Sequence, residues 1–62
     1  MPDPRIRAER YRRNAAECRQ LAGIASDQAI IIEYRRIADH YLQLAEAEDK
    51  LATELDASLK RA

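Results

Sequence analysis

The sequence predicts an all-α fold: an antiparallel two-helix hairpin of coiled-coil character that dimerises into a four-helix bundle. Three observations carry that expectation. Both prolines lie within the first four residues and the single glycine is Gly23, so the interior is almost free of helix breakers. Small and apolar residues recur in steps of three and four along two stretches. The two stretches are out of phase, and the slip falls within Gly23-Ile24-Ala25-Ser26-Asp27.

The first helix is expected over about 4–23. Asp3 is a natural N-cap, and Pro4 suits the first helical position, where its missing N–H leaves no bond unmade. Ala8, Tyr11, Ala15, Cys18, Ala22 and Ala25 then form a heptad seam. Continuing that seam would need apolar residues at 36 and 39, but Arg36 and Asp39 stand there. The seam ends, and a turn is expected at about 24–27, with Gly23 as the C′ residue and Ser26 or Asp27 as the next N-cap.

The second helix is expected over about 28–60. Ile30, Tyr34, Ile37, Tyr41, Leu44, Glu48, Leu51 and Leu55 step by four and three, and Ile31, Ala38, Ala45, Ala52 and Leu59 recur every seven residues beside them. A face three positions wide in seven expects more than one neighbouring helix. Folding at about residue 26 sets Ala8 opposite Leu44, Tyr11 opposite Tyr41, Ala15 opposite Ile37, Cys18 opposite Tyr34 and Ala22 opposite Ile30. Small residues would then oppose large ones along the seam.

Charge agrees with an antiparallel fold. The chain carries 11 basic and 11 acidic residues, but they are segregated. Arg5, Arg7, Arg10, Arg12 and Arg13 surround one acid, Glu9, whereas six acids and only Lys50 lie between Asp39 and Asp56. Folding is expected to bring the arginines near Asp39 and Glu46. Exposed ion pairs contribute less than about 1 kcal/mol each, so they select orientation rather than hold the fold.

One domain, 1–62, is all this length allows. A lone hairpin of this size, without disulfide or metal, is marginal. The expected second helix outruns the first by roughly 18 Å at 1.5 Å per residue. Leu51, Ala52, Leu55 and Leu59 are expected to lie uncovered on that overhang. Self-association answers both problems, with Ile30, Tyr34, Ile37, Tyr41, Leu44, Leu51, Leu55 and Leu59 as the contact residues.

The chemistry-bearing side chains suggest no reaction. Cys18 has no partner within the chain and sits on a seam, where cysteine behaves as a small hydrophobe. His40 falls off the seam and reads as a solvated surface residue. The acids lack the Glu-x-x-His pairing of a bundle metal site, and one glycine cannot form a phosphate loop. The expectation is therefore no enzyme, no catalytic, cofactor or metal site, and a non-enzymatic structural or interaction module. Its partner is itself, as a homodimer or higher, with another helical protein as a further candidate.

The alternative is a nucleic-acid accessory role for Arg5, Arg10, Arg12, Arg13 and Arg19. The balanced net charge, a pI near 6.6 and the acidic second helix weigh against it. The longest apolar run, Ala29 to Ile32, is too short for a membrane span, and nothing has the pattern of a signal peptide. No membrane partner and a cytoplasmic location are expected, since a lone reduced thiol is ordinary there.

The stretch Tyr11-Arg-Arg-Asn-Ala-Ala-Glu-Cys-Arg-Gln-Leu-Ala22, the Ser26-Asp27 break and Ile37-Ala-Asp-His-Tyr-Leu-Gln-Leu-Ala-Glu46 resemble a group of short helical proteins of soil alphaproteobacteria, of unknown function. The likeness spans about residues 8–48. It departs at Gln28, where that group often has proline. The resemblance implies a helical hairpin and no activity, ligand or site.

Overall fold

The computed structural model describes residues 3–61; residues 1, 2 and 62 of the expected single domain lie outside them. The described residues form two α-helices packed on each other, α1 (Pro4–Ile24) and α2 (Gln28–Arg61). Local chemistry explains where each begins. Asp3 has extended backbone angles, and its side chain accepts from the Arg5 N–H at 2.9 Å while Pro4 opens the first turn. Asp27 does the same for α2, accepting from the Ala29 N–H at 2.8 Å through its side chain and from Ile31 at 3.0 Å through its carbonyl. Lys60 and Arg61 close the last turn of α2, where positive charge suits the helix dipole.

Gly23 is not the C′ residue the sequence suggests. It lies inside α1, and the helix stops at Ala25, whose φ of −74° and ψ of 142° are extended. The Ala25 N–H still reaches back to the Leu21 carbonyl at 3.1 Å. No described residue has positive φ, so the chain turns without a left-handed position and leaves glycine's freedom unused. Ala25, Ser26 and Asp27 complete the reversal.

The seam between the helices also differs from the small-against-large pairing expected of it. Its buried centre is alanine on both sides: Ala8, Ala15 and Ala22 from α1, and Ala38, Ala45 and Ala52 from α2. Ile30 and Ile37, placed by the sequence opposite Ala22 and Ala15, are instead exposed. The reason is steric. Methyl groups every seventh residue on both helices let the backbones approach closely, and larger side chains must then splay to the flanks. Tyr11 and Tyr41 do meet as expected, with ring centroids 6.2 Å apart and planes at 26°.

The expected bare overhang is shorter than the helix lengths imply. Ala52 is buried under α1, and Arg5 near the start of α1 reaches Asp56. Leu59 remains beyond that cover, 75% exposed. Leu51 and Leu55 are exposed because they lie on a flank. The result is a rod of 54 × 14 × 13 Å with a radius of gyration of 15.1 Å, against about 10.6 Å for a compact chain of this length.

Candidate self-association surface

The close alanine seam divides the hairpin into two unlike flanks. At 100° per residue, Arg5, Arg12 and Arg19 fall on one side of the α1 alanines, and Tyr11, Cys18, Arg7 and Leu21 fall on the other. On α2 the corresponding divisions are Asp49 and Asp56 on one side, and Tyr34, Tyr41, Ile37, Leu44, Leu51 and Leu55 on the other. The Arg12–Asp49 and Tyr11–Tyr41 contacts fix which sides coincide.

The first flank is a charge ladder. Arg5 pairs with Asp56, Arg12 with Asp49 at 2.8 Å, and Arg19 approaches Asp39 at 4.0 Å. The Asp56 hydrogen bond and charge, with Asp3 behind it, raise the Arg5 guanidinium above its ordinary pKa. These partners lie further along α2 than folding about residue 26 would set them. Asp39 meets Arg19 rather than an arginine from the front cluster, and Glu46 is exposed. Side chains lean toward the N-terminus of their own helix. In an antiparallel pair an α1 arginine therefore leans toward the open end while an α2 aspartate leans toward the turn, and they meet from offset positions.

The second flank is apolar and aromatic. Ile30, Ile37, Leu51 and Leu55 are exposed, while Tyr34, Tyr41 and Leu44 are half-buried against α1. Cys18 is half-buried, and Leu21 is exposed near the turn. At the open end Pro4, Leu51, Ala52, Leu55 and Leu59 line a hollow of about 490 Å³, rimmed by Arg5, Arg7 and Asp56. The strict heptad Ile30, Tyr34, Ile37, Tyr41, Leu44, Glu48, Leu51, Leu55 thus runs down this flank, beside the alanine seam rather than within it.

One charged residue interrupts that row. Glu48 is held by Arg7, with Nε 3.0 Å from Oε1, and its side chain is only 19% exposed. That hydrogen bond raises the Arg7 pKa, against partial desolvation, which lowers it. The other carboxylate oxygen, Oε2, is buried with no hydrogen-bond partner among the described residues. Neither Arg7 nor Glu48 is among the contact residues expected from the sequence. The signal for the pair was a glutamate at a heptad position, which burial makes costly unless a cation reaches it.

Three of the five arginines of the alternative nucleic-acid stripe, Arg5, Arg12 and Arg19, are engaged by aspartates, while Arg10 and Arg13 are exposed. His40 is exposed. Among the described residues no group of three or more His, Cys, Asp or Glu could hold a metal ion, and no helix is long and apolar enough to cross a membrane. The chain matches no family model, no curated protein and no solved structure.

Proposed function

We propose that this chain is a non-enzymatic, self-associating helical module whose homodimer closes a four-helix bundle over the apolar flank. One observation carries the reading: apart from Pro4 the buried residues are all alanine, while Leu21, Ile30, Ile37, Leu51 and Leu55 on the apolar flank are exposed. A buried methyl contributes only about 0.8 kcal/mol, far less than the 1.5–3 kcal/mol of a buried Leu or Ile, so the hairpin alone leaves its strongest apolar groups unused.

Surface area supports the same reading. The chain exposes 5065 Å². A compact protein of its mass exposes about 4,100 Å². The excess, on the order of 1,000 Å², is comparable with the roughly 800 Å² that each partner buries in a standard interface. The arginine stripe draws less support as a nucleic-acid surface, because the chain's own aspartates compete for it.

Thermal unfolding followed by circular dichroism tests this. When association stabilises the folded state, the midpoint rises with protein concentration. The expected result is a rise over a hundredfold concentration range; a midpoint independent of concentration, in a well-folded monomer, would contradict the proposal.

A further inference from the structure

The apolar flank also contains information about how a second copy must lie on it. We infer that two hairpins associate antiparallel, α2 against α2, through the heptad from Ile30 to Leu55, so that the turn end of each copy fills the open-end hollow of the other. This inference rests on the self-association proposed above and adds the orientation.

The first argument is electrostatic. In a parallel pairing every residue of the heptad meets its own copy, and Glu48 would meet Glu48. That carboxylate is already poorly compensated: one oxygen is satisfied by Arg7, and the other is buried without a partner among the described residues. Bringing two such groups together across an apolar contact opposes association, because each penalises the ionised form of the other. In an antiparallel pairing about the middle of the heptad, near residues 42 and 43, the two Glu48 positions stand roughly 16 Å apart along the axis. That exceeds the Debye length of about 8 Å at physiological salt.

The second argument is shape. The flank is recessed at the open end, where Pro4, Leu51, Leu55 and Leu59 line the 490 Å³ hollow. At the turn end the same flank offers the exposed aliphatic side chains Leu21 and Ile30. Parallel pairing would set hollow against hollow and leave both unfilled. Antiparallel pairing brings Ile30 level with the second copy's Leu55, and Tyr34 level with its Leu51. Each hollow then receives aliphatic side chains, and packing without voids is what distinguishes a specific interface from a loose one.

A spin-label distance separates the arrangements. Cys18 is changed to alanine, Ser26 in the exposed linker is changed to cysteine and labelled, and helicity is checked by circular dichroism before pulsed dipolar measurement. Antiparallel pairing places the two labels about 50 Å apart, from 1.5 Å per residue on either side of the dyad. A distance within about 20 Å, set by adjacent helix axes, would overturn the orientation while leaving the dimer intact. A species at the monomer mass with no dipolar modulation would overturn the dimer and the orientation together. Placing the label at Ser58 instead, again in the Cys18→Ala background, repeats the measurement from the other end. The antiparallel model predicts roughly 45 Å there.

Discussion

The two flanks of the hairpin border the same alanine seam, yet they solve opposite problems. On one, Arg5, Arg12 and Arg19 find Asp56, Asp49 and Asp39, so exposed charge is matched within the chain. On the other, Ile30, Ile37, Leu51 and Leu55 are left 40–48% exposed. Exposed ion pairs contribute little to stability but discriminate well between orientations. Large aliphatic groups contribute a great deal once buried and say little about direction by themselves. The ladder therefore sets how the chain folds back, and the apolar flank is where further stabilisation is available.

The largest expected effect comes from breaking the apolar flank. Ile37→Glu with Leu44→Glu removes two large apolar groups and introduces charge in their place. Full burial of such a side chain is worth about 1.5–3 kcal/mol, and both are already partly covered within the hairpin, so the pair should weaken association by roughly 2–3 kcal/mol per chain. Analytical ultracentrifugation should find the variant dissociated at concentrations where the parent is associated. Unaltered association would remove this flank from the interface.

Next in size is an insult to the seam both flanks share. Ala38 is fully buried in the alanine column, and Ala38→Leu must push the helices apart. Overpacking of this kind costs about 1–3 kcal/mol. A lower urea midpoint for Ala38→Leu, with little change for Leu at the exposed Ala47, would sharpen the distinction between seam and surface. Equal behaviour of the two would count against close alanine packing.

A cap lies between these scales. Asp27→Ala removes the side-chain acceptor of the Ala29 N–H and should cost about 1 kcal/mol, read as a lower thermal midpoint. Asp27→Asn should retain most of the stability, because its side-chain oxygen can still accept.

The smallest effects belong to the charge ladder. Arg12→Ala should change stability by less than about 1 kcal/mol, since the Arg12–Asp49 pair is about half exposed on both sides. Arg7→Ala should lower the thermal midpoint further than Arg12→Ala. It strips the cation from Glu48, whose remaining oxygen already lacks a partner among the described residues. Matching midpoints for the two variants would erase the distinction drawn between an exposed ion pair and a half-buried one.

Much of the fold was legible because helix propensity, punctuation and period agree. Pro4 and Asp3 mark one start, Asp27 another, and the phase slip between them identifies the reversal. What the period could not settle was which of two adjacent heptads faces inward. Ile37 and Ala38 are neighbours in sequence and 100° apart around the helix, so both rows satisfy the same spacing rule. Hydrophobicity favours the Ile and Leu row as core, whereas close approach favours the alanine row. The matching alanines at 8, 15 and 22 were the available clue, since small residues repeated on both helices permit the shortest separation. Gly23 misled for a related reason: a glycine near a helix end commonly supplies a left-handed residue, but extended Ala25 ends this helix without one. The Arg7–Glu48 pair was illegible because its position depends on the rotation of both helices at once.

Solution mass measured by light scattering coupled to size exclusion, at several dilutions, shows whether the apolar flank joins two chains. The expected result is a helical species at twice the chain mass of 7.1 kDa, with dissociation only at low concentration. A helical, cooperatively folded species at the single-chain mass throughout, with the apolar flank left in water, would contradict it.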